Sequence, residues 1–197
     1  MISLDKGLVG GKPLGDVIER HKKYGEFVDK LDIIVLTKKG YQHKEISDHV
    51  QAQPTNSLSK LFYYFDALRV AREWFKVMSY DLIVTQDPFL TGLIGATLKK
   101  EFGSQLLIHL HGDYGLNFFV RRTLNRADAV RVMSDGQREK LLTAGIHHDK
   151  IKVISTPIDM ERFAKFQENA SPDQKKLRNN FKSQFQGKKV VLMVGRK

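Results

Sequence analysis

Cysteine is missing from all 197 residues. Disulfides, cysteine-ligated zinc and iron–sulfur centres are thereby excluded, and the chain suits a reducing compartment. Long apolar runs are missing too: none approaches the ~20 residues a helix needs to cross a bilayer. The opening stretch "MISLDKGLVGG" has no extended apolar core and carries Asp5 early, unlike a secretory leader. Acidic residues are in short supply. There are 22 aspartates and glutamates against 33 lysines and arginines, for a net charge of +11 and a pI near 9.7. That imbalance favours an anionic partner: a phosphate, an acidic membrane surface or nucleic acid. Nucleic acid is the weakest of the three, because no helix-turn-helix, RNP aromatic motif or zinc finger is recognisable. The 41% of hydrophobic residues suffices for a core, and the length fits one domain or slightly more. No internal repeat is visible.

What is present is an alternation of strand and helix signals. "MISLD" (1–5) is a short apolar run before a glycine-rich stretch. Leu14, Val17, Ile18, His21, Tyr24 and Val28 recur at helical spacing and predict a helix over 15–29. "DIIVLT" (32–37) predicts a strand, and 38–57 reads as polar loop with at most a short strand near "HVQAQ". From Ser59 to Met78, the residues Leu61, Phe62, Phe65, Leu68, Ala71, Phe75 and Met78 make one helical face, with Ser57 or Ser59 as its cap. Further strands follow at "DLIVTQ" (81–86), "QLLIHLH" (105–111), "DAVRVMS" (128–134) and "KIKVISTP" (150–157). Helices are predicted over 89–102, ended by Gly103, over 116–126, and over 135–144, closed by Gly145. Strands separated by helices imply right-handed βαβ units. The expected fold class is therefore α/β, a Rossmann-like doubly wound parallel sheet with helices on both faces. The expected first domain is 1–160. A linker with a helix near 173–186, begun by Ser171 or Asp173, spans 161–187. The apolar "VVLMV" before Gly195 predicts the first strand of another domain, 188–197.

In an open α/β sheet, ligands bind beyond the carboxyl ends of the strands. After the first strand come Gly7, Gly10, Gly11 and Gly15, leading into a helix whose free N–H groups suit an anion. The spacing is not the dinucleotide fingerprint, and an ordinary flexible loop explains it equally. Gln86 and Asp87 sit at a strand end before Pro88; they suit a sugar or nucleotide, though Asp87 as a simple helix cap is favoured. In "HLHGDY" (109–114), His111 falls at the strand end, where it can bond a sugar hydroxyl or move a proton near neutral pH. His109 is expected in the interior as a satisfied core histidine. The pair lacks a third metal ligand, so no metal is expected. Ser134 either contacts a ligand or, as the better reading, caps a helix together with Asp135.

Two stretches are basic and aromatic together: "KLFYYFDALRVAREWFK" (60–76) and "NFFVRRTLNR" (117–126). An amphipathic basic helix can lie on an anionic membrane. For 60–76 a core-facing helix with a solvated arginine face is the preferred reading. For 117–126 the two readings stand level.

Taken in order, the glycine loop, "TQDPF", "HLHGDY", "NRADAVRVMSDGQREKL", "IKVISTPIDMERF" and "VVLMVGRK" resemble glycosyltransferase family 4. The most specific part is the exit phrase P-[ILN]-[GD]-[VM]-[DE]-x-x-x-F, matched by Pro157, Ile158, Asp159, Met160 and Phe163. The resemblance covers nearly the whole chain. It implies one half of a GT-B architecture: the amino-terminal, acceptor-side domain, followed by the start of a donor-binding partner domain that is otherwise absent from these residues. The family's strand before the glycine loop is often longer than "MISLD".

The resemblance further implies retaining transfer of a sugar from a nucleoside-diphosphate donor to a glycan or lipid-linked acceptor, with no cofactor and no essential metal. His111 matches the histidine beside the transferred sugar. Gly10 and Gly11 match donors to the diphosphate, and Arg196 the arginine near it. Gln86, Asp87, Asp113 and Ser134 fall on the acceptor side of the cleft rim. The expected setting is cytoplasmic, peripheral at the inner face of the cell membrane through 117–126, and these residues alone are expected to be inactive. The competing reading is a stand-alone, non-catalytic sugar- or nucleotide-binding module.

Overall fold

The computed structural model describes residues 1–12, 16–155 and 171–186. One unit runs from Met1 to Ser155 and a second from Thr156 to Lys197. The first is built on an eight-stranded sheet. Its strands are β1 (Ile2–Ser3), β2 (Leu31–Val35), β3 (Lys44–Ser47), β4 (Val50–Pro54), β5 (Leu82–Thr85), β6 (Gln105–His109), β7 (Ala129–Val132) and β8 (Ile151–Val153). They lie in the order β3-β4-β2-β1-β5-β6-β7-β8. Every pairing is parallel except β3 with β4, an antiparallel hairpin at one edge. The expected doubly wound Rossmann-like sheet is present, with this hairpin added. The polar reading of 38–57 missed β3 because only Ile46 of that strand is buried.

The helices are α1 (Val17–Gly25), α2 (Tyr63–Val77), α3 (Leu90–Phe102), α4 (Phe118–Arg126) and α5 (Asp135–Thr143). Strand alternation separates two cores. Ile34 of β2 joins Ile83, Leu106, Ile108, Val130 and Val132 beneath α2 to α5. Its neighbours Ile33 and Val35 point the other way, onto Val17 of α1 and onto Leu8 and Val9 of the short 3-10 helix Lys6–Val9. Each fully buried Ile, Leu or Val contributes about 1.5–3 kcal/mol, so these two layers hold the fold. Glycine makes room on α3: a Cβ at Gly95 would lie 2.6 Å from the Thr85 side chain.

Two helix expectations change. The helix expected over 15–29 stops at Gly25, and residues 13–15 lie outside the described residues. Val50 approaches Gly25 too closely for any side chain there, while Phe27 and Val28 beyond it are exposed and anchor nothing. The helical face expected for 59–78 is rotated: Leu61, Phe62 and Phe65 face solvent, and Tyr63, Ala67, Leu68, Val70 and Ala71 are buried. Ser59 caps a preceding 3-10 turn, Lys60–Phe62, instead of the α-helix itself.

In the second unit, α6 (Pro172–Gln184) starts at Ser171 with a complete capping box to Gln174. The strand expected over 188–197, the exit phrase from Thr156 to Phe163, and Arg196 lie outside the described residues.

Candidate functional site

The parallel strands share one carboxyl edge, and the described ones among the sequence-predicted site residues collect there. His111 stands two residues beyond β6. Leu110 between the two histidines is 4% exposed and belongs to the large core, so His109 and His111 share the opposite face. Their rings meet edge-on, with centroids 5.7 Å apart. His109 is therefore not a satisfied core histidine: it is half-buried, and its ring makes no hydrogen bond among the described residues.

Arg131 is directly across from His109 in the β6–β7 register. Its guanidinium donates to the carbonyls of Ile154 and Ser155, at 2.8 and 3.1 Å. Burial, then the positive charge of Arg131, pushes the His109 pKa down to about 4. His111 shifts in the same direction. Its surface is open to solvent, yet the atoms packed beneath it weigh most, followed by Arg131 and by Arg20 of α1; the Asp87 carboxylate opposes them. Both imidazoles are thus held neutral at physiological pH, beside two permanent cations. Such a set of groups suits an anion by charge and a hydroxyl by hydrogen bonding.

Asp87 follows β5 and is 8% exposed. One oxygen accepts the Phe89 N–H at 2.7 Å, and Thr91 Oγ1 closes the turn on the Asp87 backbone. This is a local turn and not the helix cap that the sequence favoured, since α3 starts after Phe89 without a side-chain cap, and the carboxylate still reaches His111 and Tyr114 electrostatically. Gln86 accepts the Ser3 hydroxyl at 2.9 Å, which ties β5 to β1. Asp113 pairs with Lys140 of α5. Ser134 Oγ accepts the Gln137 N–H at 3.3 Å, so it caps α5. Gln137 in turn donates to the Gly112 carbonyl at 3.0 Å and fastens the histidine loop to α5.

The glycine loop after β1 needs glycine at two positions, one for its backbone angle and one for a close contact. Gly10 has φ +91°, and a Cβ on Gly11 would lie 2.8 Å from the Lys6 carbonyl oxygen. Both glycine N–H groups donate to that carbonyl. An anion that drew on them would have to displace it. Nearby, His21 is 1% exposed; its Nδ1 bonds the Val17 carbonyl at 2.7 Å, and its Nε2 has no partner among the described residues.

Sequence reasoning missed Arg20 and Arg131. A signal for Arg131 existed: an arginine between Val130 and Val132 in an otherwise apolar strand. His147, His148 and Asp149 offer ligand atoms within 4.8 Å of one another, but they are exposed and precede β8, at the sheet's other edge. Among the described residues, no helix is long and apolar enough to cross a membrane.

The family model for Glycosyltransferase Family 4 matches residues 28–162, more than half of the chain. No curated protein matches. Among solved structures, a sucrose-phosphate synthase from Thermosynechococcus elongatus is 18% identical, with a TM-score of 0.59 over 90% of this chain and 97% of that one. The lipopolysaccharide outer core galactosyltransferase WaaB, in its apo form, is 16% identical, with a TM-score of 0.55 over 80% of this chain and 45% of that one. HepE from Anabaena, in complex with UDP and glucose, is 20% identical, with a TM-score of 0.54 over 91% of this chain and 49% of that one. The chain thus spans just under half the length of the last two.

Proposed function

Because the chain belongs to glycosyltransferase family 4, we propose that it supplies the acceptor-side half of an enzyme that moves a sugar from a nucleoside diphosphate to a hydroxyl acceptor. The observation that carries this reading is the carboxyl-edge cluster: two neutral histidines beside Arg20 and Arg131, with Asp87 adjacent. Transfer breaks the bond from the anomeric carbon to the diphosphate oxygen and forms one to the acceptor oxygen; the acceptor proton leaves with the diphosphate. The stereochemistry is retaining, and the sugar a hexose. His111 orients sugar hydroxyls, and its neutral ring accepts or donates without adding charge. Asp87, Gln86, Asp113 and Ser134 form the acceptor rim. Positive charge stabilises the departing diphosphate without a metal. Arg196 contributes there and belongs to a donor-binding domain that begins near residue 188; Gly10 and Gly11 contribute only once their N–H groups exchange the Lys6 carbonyl for a phosphate oxygen. Alone, these residues turn over slowly or not at all, since alignment needs both walls of the cleft.

The acceptor is a glycan or a lipid-linked molecule, and the setting is the cytoplasmic membrane surface, reached through 117–126. HepE's complex with UDP and glucose makes UDP-glucose the first donor to test. In a chain that carries both domains, His111→Ala lowers transfer about 100-fold with little change in thermal stability. An unchanged rate removes His111 from the site. Donor binding without transfer to any acceptor leaves the non-catalytic binding module as the better account.

A further inference from the structure

Tyr114 lies a few residues beyond His111, and its contacts hold it beside the site. Its ring meets the Phe89 ring edge-on, with centroids 5.3 Å apart. Phe89 is the residue whose N–H bonds Asp87, at 2.7 Å. The hydroxyl end of the Tyr114 ring lies over Gly112, the neighbour of His111: a Cβ at Gly112 would be 3.7 Å from Cζ and 3.8 Å from Oη. Together with Leu116, the ring also packs against the large core. From the other side the loop is braced by α5, through Gln137 on the Gly112 carbonyl at 3.0 Å and Lys140 on Asp113. Tyr114 thus stands on a braced loop, between the turn that holds Asp87 and the backbone beside His111.

Anchoring that loop takes only the ring. A phenylalanine would meet Phe89, Gly112 and the core equally well. The hydroxyl is left over: Tyr114 is half-buried, and its side chain makes no hydrogen bond among the described residues. Burial, then the Asp87 charge, raises its pKa above the ordinary phenol value, so the O–H keeps its proton and can donate. Asp87 has the complementary need. It is 8% exposed, one of its oxygens takes the Phe89 N–H, and the other has no partner among the described residues. A donor and a buried acceptor, within electrostatic reach of each other and both unpaired, call for an explanation. Two neighbouring hydroxyls on a sugar supply one, because each hydroxyl both donates and accepts. One oxygen takes the Tyr114 O–H, and the other hydroxyl donates to Asp87. The neutral imidazole of His111 meets either one. A phosphate in the same place would meet the Asp87 charge.

We propose that Tyr114 contacts substrate, and that with Asp87 and His111 it recognises a pair of adjacent hydroxyls on a sugar ring. This rests on the reading of the carboxyl edge as a sugar site and narrows it. A ring that lacks one of the two hydroxyls leaves a polar group stranded and is rejected.

The test is an NMR titration of the 197-residue chain with glucose, followed at the ring resonances of His111 and Tyr114. Glucose is expected to shift both in a saturable way. Tyr114→Phe keeps every ring contact, so its thermal melt matches the parent, while glucose binding read at His111 weakens about tenfold. Cyclohexanol, a six-membered ring with a single hydroxyl, leaves His111 unshifted. Three results overturn the proposal: glucose that shifts neither ring, a Tyr114→Phe variant that binds glucose as the parent does, or a response to cyclohexanol equal to that for glucose. The titration uses no nucleotide and reads no transfer, so it can succeed where transfer fails. Conversely, a chain with both domains whose transfer is unchanged by Tyr114→Phe overturns the contact and leaves the transferase reading standing.

Discussion

Two buried carboxylates stand at opposite edges of one sheet. Asp32, at the start of β2, has a side chain 1% exposed. It accepts hydrogen bonds from the Tyr80 hydroxyl and, at 2.6 Å, from the Gln51 amide, and the Lys30 ammonium lies 3.6 Å away. Asp87, at the end of β5, accepts one backbone N–H, and no side chain donates to its carboxylate among the described residues. Its charge is felt instead by a histidine and a tyrosine that it does not bond. Around Asp32 the amino edge has closed upon itself: Tyr80, Gln51 and Lys30 all partner the carboxylate, and the gain is stability. The carboxyl edge keeps hydrogen-bonding capacity in reserve, and that capacity is what a ligand meets.

The largest expected effect breaks the closed edge. Asp32→Ala strands the Tyr80 hydroxyl, the Gln51 amide and the Lys30 charge, and should cost about 3–5 kcal/mol in urea unfolding. A loss below about 1 kcal/mol would show that the network only decorates the fold.

The next effect sharpens the open edge. His109 is held at about 4 against an ordinary 6.5. The folded protein therefore stays neutral where the unfolded chain takes up a proton. His109 thus contributes stability that is present above about 6.5 and lost as pH falls toward about 4, below which it is constant. Arg131→Met should raise the pKa values of both His109 and His111 in an NMR titration and shift that window to higher pH. Titration curves that do not move would place the arginine's charge elsewhere.

The smallest effect is that of Asp87→Asn. It keeps an acceptor for the Phe89 N–H, so stability should change by less than about 1 kcal/mol. The lost charge should lower the His111 pKa further. A rise would mean that Asp87 does not face the imidazole.

Most of this architecture was legible in the sequence. "LIVT", "LLIH" and "AVRV" are dominated by apolar residues because their strands lie inside a parallel sheet, and each appears where periodicity put it. The glycine stop at Gly103 was equally plain, and Ser171 was one of the two starts named for the last helix, because both are local chemistry. What stayed hidden was set by partners distant in the chain. Edge strand β3 shows little alternation because it buries only one residue. The buried face of α2 was misread because Leu61, Phe62 and Phe65 are as apolar as the residues that reach the core. At the site, His111 and Asp87 could be named from their strand ends. Arg20 and Arg131 could not be joined to them without the β6–β7 register and the placement of α1.

The hairpin at the sheet's edge has a consequence for how the chain behaves in a crowded cell. An open sheet presents two unpaired margins, and a long, flat, apolar margin recruits strands from other molecules. Among the described residues one margin is β3, four residues that include Lys44 and Glu45, with a break in register before Ser47. The other is β8, three residues with Lys152 at its centre. Both are too short and too charged to template a growing fibril. Newly made copies can therefore accumulate side by side without knitting into aggregates.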